Sequence, residues 1–133
     1  MANRTQYVVS IGKEAIAALP VKTYPAGIRV IDTQEQAREA ISDLSQEKIV
    51  GFDTETRPSF RKGHLHKVAL MQISTAECCY LFRLNKIGID TVKPFLENPE
   101  VLKIGLSVHD DFNALRRSGN LQPDGFIDLQ QVV

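Results

Sequence analysis

Ile49-Val50-Gly51-Phe52-Asp53-Thr54-Glu55-Thr56 opens apolar and turns polar at Asp53. A short apolar run of this kind reads as a buried β-strand. Its polar end lies where α/β sheets usually build their sites, at the carboxyl ends of strands. Residues i and i+2 of a strand project from one face, so Asp53 and Glu55 are expected side by side, about 7 Å apart along the backbone. Two like charges that close are unfavourable unless a cation lies between them. A hard divalent ion such as Mg²⁺ or Mn²⁺ takes oxygen ligands and resolves the conflict. Taken alone, the pair reads more simply as two acids facing solvent at a strand end, since Asp-x-Glu is common by chance. An aspartyl-phosphate phosphatase would need a second Asp where Glu55 stands.

Working outward, residues 56–66 read as a loop with Pro58, Gly63 and two histidines. Val68–Ser74 and Cys78–Leu84 read as two strands joined by a tight turn at Thr75-Ala76-Glu77. Further on, the pattern predicts a helix over Thr91–Glu97, capped by Asp90 and made irregular by Pro94. A strand over Val101–Leu106 follows, then a helix over Val108–Ser118 closed by Gly119. Phe126-Ile127 is a last short strand, with Asp128 placed to cap whatever helix follows. Upstream, Ile28–Ile31 is a short strand. Thr33-Gln34-Glu35-Gln36 fits a capping box, and Ala37, Ala40, Ile41 and Leu44 recur at the spacing of one buried helix face. Residues 1–27, with a short helix over Lys13–Leu19, read as an N-terminal extension. The fold class is therefore α/β. Three strands in a meander should pair antiparallel and the strands separated by helices should pair parallel, giving one mixed β-sheet with helices on both faces.

The chain has 133 residues, 43% of them hydrophobic and 24% charged, the composition of one globular domain. Sixteen basic residues balance sixteen acidic ones, which excludes a chain-wide cationic field and confines any nucleic-acid contact to a local patch. No apolar run approaches the roughly 20 residues of a membrane span. The N-terminus lacks the apolar core of a secretory signal. A soluble, cytoplasmic protein is expected. Cys78 and Cys79 are adjacent, so on a strand they face opposite ways and do not pair.

Two further stretches carry chemistry. From Arg57 to Lys67 there is no acid, while Arg57, Arg61, Lys62 and Lys67 are basic; a phosphate backbone suits such a loop, and Phe60 suits an unpaired base. In Lys103-Ile104-Gly105-Leu106-Ser107-Val108-His109-Asp110-Asp111-Phe112, a strand gives way to a helix whose first turn holds two acids. Asp110 complements the helix dipole. Asp111, one position on, can turn back toward the sheet edge.

Gly51 through Thr56, Lys67 through Ser74, Cys79 through Phe82, and Ile104-Gly105 through Asp111 together resemble the DEDD-type 3′–5′ exonucleases, nearest the Werner-syndrome-type and ribonuclease D-like branch. Phe126-Ile127-Asp128-Leu129 also looks like the strand and helix start that follow the second motif there. The resemblance implies a ribonuclease H-like fold and two-metal phosphodiester cleavage with Mg²⁺ or Mn²⁺. Asp53 resembles the carboxylate that bridges both ions, Glu55 the ligand that also positions the attacking water, and Asp111 the second-motif acid. Thr54, Arg57, Arg61, Lys62 and Phe112 are the expected contacts to single-stranded or 3′-ended nucleic acid, DNA or RNA. The family's third motif, a Tyr or His four residues before a final Asp, has no counterpart before Val133. Residues 28–133 are thus expected to form the N-terminal part of an exonuclease domain that is C-terminally incomplete. The other expectation is a non-catalytic nucleic-acid-binding module on the same fold.

Overall fold

In the computed structural model, which describes residues 8–132, the described residues form one sheet of six strands. These are β1 (Gly27–Ile31), β2 (Ile49–Thr56), β3 (Val68–Ser74), β4 (Cys78–Arg83), β5 (Leu102–Gly105) and β6 (Phe126–Asp128). They lie in the order β1-β4-β3-β2-β5-β6. The β2-β3-β4 meander is antiparallel, and the β1–β4, β2–β5 and β5–β6 pairs are parallel, as the connection lengths require. The helices are α1 (Lys13–Ala17), α2 (Gln34–Leu44), α3 (Leu84–Ile87), α4 (Ile89–Leu96), α5 (Val108–Arg116) and α6 (Leu129–Val132). None among the described residues is long and apolar enough to cross a membrane.

The helices that bury side chains against the sheet gather on one face, not on both. Topology gives the reason. The three parallel crossovers, β1 to β2, β4 to β5 and β5 to β6, all travel the same way across the sheet. A right-handed connection in each therefore delivers α2, α4 and α5 to the same side. Register sorts the strand residues accordingly. Thr54, Met71, Phe82 and Ile31 form one cross-strand row, and Phe52, Ile73, Tyr80 and Arg29 the next. The apolar members of these rows join Ala37, Ala40, Leu44, Val92, Phe95 and Leu115 in the core. Their neighbours in sequence point the other way. On that uncovered face Ile28, Val30 and Ile49 are 65%, 50% and 57% exposed.

Local chemistry explains most element ends. Thr33 Oγ1 accepts from the Gln36 amide at 3.1 Å, and Gln36 Oε1 accepts from the Thr33 amide at 3.1 Å, so the predicted capping box starts α2. The helix placed over Thr91–Glu97 begins earlier, at Ile89. Gly88, at φ +79°, makes the turn that separates α3 from α4, and Asp90 lies in the first turn of α4 and is not its cap. Thr75 closes the β3–β4 turn by accepting at its hydroxyl from the amides of Glu77 and Cys78. Helix α1 buries no side chain, and Tyr24 donates to the Thr75 carbonyl at 2.6 Å, tying the segment before β1 to that turn. Cys78 and Cys79 are both free thiols.

Lys103 is fully buried on the helix-covered face. Its ammonium donates to the carbonyls of Phe95 at 3.1 Å and Asn98 at 2.6 Å, the negative end of α4. It also lies 5.3 Å and 5.1 Å from the ring centres of Phe95 and Phe126, a cation–π arrangement. Burial pulls its pKa down to about 8.

Candidate metal and nucleic-acid site

Strand β2 carries Asp53 and Glu55 on the uncovered face, both exposed. Asp53 stands across from Gln72 and Glu55 across from Leu70. Asp53 Oδ1 accepts from the Thr54 amide at 2.9 Å, and the register slips between Glu55 and Thr56, where the strand gives way to the basic loop. The pairing of the two carboxylates on one face is what strand alternation dictates.

Thr54 points the other way, toward α5, and its hydroxyl donates to Asp111 Oδ1. Helix α5 reaches that position through three devices. Gly105 leaves no room for a side chain, since a Cβ there would sit 2.6 Å from Val108 Cγ1 and 3.0 Å from the Phe52 carbonyl; this lets the helix approach β2 closely. Ser107 turns the chain in the left-handed region, at φ 58°. Asp128, at the end of β6, accepts from the amides of Ser107 at 3.0 Å and Val108 at 3.1 Å. An external carboxylate thus satisfies the first free amides of α5, and Asp128 Oδ1 also accepts from the Gln130 amide at 3.0 Å at the start of α6. One side chain caps two helices.

Asp111 is half-buried, and its carboxyl is raised above the usual range. Burial is the largest cause; the Thr54 hydroxyl pulls it down, and the charges of Asp53 and Asp110 push it up again. The fields of Asp53 and Asp111 therefore overlap, although Thr54 stands between them. Among the described residues no three His, Cys, Asp or Glu side chains are grouped closely enough to hold an ion. The donor set is nonetheless all carboxylate oxygen, the chemistry that hard divalent ions take: Asp53 and Glu55 on one side of β2, Asp111 on the other.

The other predicted contacts are dispersed around this strand end. Arg57, Arg61 and Lys62 are exposed in the loop after β2. That loop forms an open concavity of about 280 Å³ lined by Arg57 through Arg61 and by His64 and His66. The two imidazoles meet edge to face, with ring centres 4.8 Å apart. Arg117 Nε, from the end of α5, donates to the His66 carbonyl at 3.1 Å. Phe112 is half-buried with its ring edge-on to Phe126 at 4.7 Å, and Phe126 is in turn edge-on to Phe52 at 4.9 Å. It forms a wall under α5. His109 and Asp110 are exposed in the first turn.

A second cavity, of about 310 Å³, lies on the uncovered face between Tyr24, Ile28, Gln72, Ser74, Cys79 and Leu81. Gln72 links it to Asp53 across the β2–β3 pair. The thiol of Cys79 is pushed up by burial. Alternation along Val68–Ser74 leaves one of Gln72 and Met71 on the site's face; the register puts Gln72 there, across from Asp53, and Met71 in the core. Asp128 accepts from the Gln130 amide at the start of α6, the cap that its place after β6 predicts. Its cap on α5 joins residues about 20 positions apart, a pairing that no local pattern signals.

A family model described as 3′–5′ exonuclease matches residues 28–132. The bifunctional 3′–5′ exonuclease/ATP-dependent helicase WRN of Mus musculus is 28% identical over 121 residues, covering 86% of this chain and 9% of that protein. Among solved structures, the Trypanosoma brucei RNase D complex with GMP is 24% identical with a TM-score of 0.72, over 80% of this chain and 34% of that one. The RNase D of Escherichia coli, described as an exoribonuclease involved in structured RNA processing, is 19% identical with a TM-score of 0.68, over 77% and 27%. The EXO domain of Aedes aegypti Nibbler gives 19% and 0.68, over 79% and 54%. The chain spans about a tenth of the curated relative, about a third of the Trypanosoma brucei RNase D and about a quarter of the Escherichia coli one.

Proposed function

The chain belongs to the DEDD-type 3′–5′ exonuclease family, and from that premise we propose that residues 28–133 are part of a domain that removes nucleotides from nucleic-acid 3′ ends. The observation that carries this reading is the exposed carboxylate pair, Asp53 and Glu55, at the polar end of β2. Asp111 backs it from α5 through the Thr54 hydroxyl.

In this reading Asp53, Glu55 and Asp111 would hold two divalent ions, Mg²⁺ or Mn²⁺, which would supply Lewis acidity for phosphodiester hydrolysis and offset the charge that develops on phosphate. The chain's own residues do the rest. Glu55, in solvent at the strand end, accepts a hydrogen bond from the attacking water and aims it at phosphorus. The bond from phosphorus to the 3′ oxygen breaks, leaving a 3′ hydroxyl on the shortened strand and releasing a nucleoside 5′-monophosphate. Thr54 and Asp128 are positioning residues: the first orients the Asp111 carboxylate, the second fixes the start of the helix that carries it. Arg57, Arg61 and Lys62 contact the strand's phosphates.

One observation favours a second reading, a nucleic-acid-binding module without turnover: the absence of a three-acid group among the described residues. A single experiment separates the two. A 5′-labelled single strand, DNA or RNA, is incubated with the protein and Mg²⁺ or Mn²⁺. A ladder shortened from the 3′ end, lost on chelation and lost by about 100-fold or more in Asp53→Ala, supports the exonuclease. Cleavage unchanged by Asp53→Ala removes these acids from the mechanism. Tight binding with no metal-dependent loss of nucleotides decides for the binding module.

A further inference from the structure

We propose that the loop from Arg57 to His66 is a metal-independent phosphate site: Arg57, Arg61 and the His64/His66 pair take a backbone phosphodiester of the strand, and an adjoining base stacks on Phe60. The inference rests on the exonuclease reading and extends it away from the carboxylates. It starts from a concavity of about 280 Å³ that these side chains line. Its charge has one sign, since no acid occurs between Arg57 and Lys67. Among the described residues the one ion pair is Arg83 with Asp32, so neither Arg57 nor Arg61 has a carboxylate partner there. Cations converging on a cavity without an acid stay in place at lower cost when an anion enters.

Three further features make the anion a nucleic-acid strand. Phe60 is 96% exposed on the rim, a costly placement for an aromatic ring that a stacked base relieves. Arg57 follows Glu55 by two residues, about 7 Å of extended chain. A strand whose last phosphate lies at the carboxylates therefore brings a neighbouring phosphate to the cavity. The loop is also braced. The His64 amide and the Ser59 hydroxyl both donate to the Arg61 carbonyl, at 3.1 Å and 3.2 Å, and Arg117 holds His66 from α5.

The His64 and His66 rings meet edge to face, 4.8 Å apart, and line the same cavity as Arg57 and Arg61. Their ring N–H groups therefore stand beside the guanidinium donors that a phosphate takes.

The test is binding of a labelled single strand, followed by fluorescence anisotropy in EDTA, so that no metal contributes. Arg57→Gln/Arg61→Gln should weaken binding about ten-fold and lower the slope of log K against log salt by about 0.7, one phosphate on a single strand. Phe60→Ala should weaken it about ten-fold. His64→Ala/His66→Ala, which removes both ring donors from the cavity, should weaken it about three-fold. An unfolding midpoint for each variant confirms that the exposed loop is altered without loss of the fold. Wild-type binding undisturbed by all of these variants overturns the site and leaves the exonuclease reading intact. Inorganic phosphate that displaces the strand, with Phe60→Ala unchanged, reassigns the cavity to free anions and also overturns it. No strand binding by the wild-type chain in EDTA also overturns the site, and the exonuclease reading then stands or falls on the metal-dependent cleavage assay alone.

Discussion

The two faces of this sheet are built from alternate residues of the same strands, and they have different work. On the helix-covered face Met71, Ile73 and Phe82 are fully buried. On the other, Ile28 and Val30 stand half-exposed or more, and Asp53 and Glu55 project into solvent. Strand β2 serves both, with Phe52 and Thr54 turned to the core side and the acids turned away. Stability therefore resides on the face that lacks the carboxylate pair. The acids, which make no contribution to the core, are free to be chosen for chemistry.

The largest expected effect tests that division directly. Phe82→Ala, on the covered face, should cost about 3–5 kcal/mol, the transfer term plus the cavity left behind. Its sequence neighbour Leu81, which lines the open cavity, should cost clearly less as Leu81→Ala. Urea denaturation of both variants makes the comparison, and equal losses would mean that the uncovered face is as much a core as the covered one.

Lys103 sharpens the same point, because it is a charge on the buried side. Its pKa is depressed to about 8 in the folded chain, against about 10.4 for an unperturbed lysine. The unfolded chain thus binds the proton more strongly, and the folded state gains relative stability as pH rises from about 8 through 10.4. Cys79 and Tyr80, raised by burial, push the opposite way in that range. The clean measurement is therefore the difference between wild type and Lys103→Met. That difference should shift in favour of wild type between pH 7 and pH 10; a constant difference would show that the ammonium is not desolvated.

Much of this was legible in the sequence, and the parts that were not share a cause. The capping box at Thr33, the meander, and the Asp53/Glu55 pair each depend on residues close together in the chain, and each follows from spacing. The one-sided placement of helices does not. It depends on strand order, which sets the direction of every crossover. The short helix α3 was missed because four residues directly after a strand show no full period, although Leu84 and Ile87 are buried at i, i+3 spacing. The position of Asp111 was only half legible. Motif order brings it toward β2, but which side of the strand it meets depends on how closely Gly105 lets α5 approach.

Asp128 and Thr54 govern that last feature from the two ends. Asp128→Ala strips the acceptor from the Ser107, Val108 and Gln130 amides and should cost about 1–2 kcal/mol, as loss of a helix cap does. Asp128→Asn, which keeps one acceptor oxygen, should cost less. Thr54→Val removes the donor to Asp111 and should cost about 1 kcal/mol, with Thr54→Ser restoring most of it. If the covered side positions Asp111 for the open side's pair, both Asp128→Ala and Thr54→Val should also slow any metal-dependent cleavage by more than their stability loss explains. Cleavage that tracks folded fraction alone would reduce them to structural residues.

The smallest expected effect lies on the open face itself. Val30 is 50% exposed on edge strand β1, so little of its apolar surface leaves water on folding and little transfer energy is at stake. Val30→Thr keeps the β-branched shape that suits a strand and adds a hydroxyl that solvent can reach. The change in unfolding free energy should stay within about 0.5 kcal/mol. A loss of more than about 1 kcal/mol, read from the same urea midpoints used for Phe82→Ala, would mean that something packs against Val30 in solution. The two faces would then differ in what covers them, not in whether they are covered.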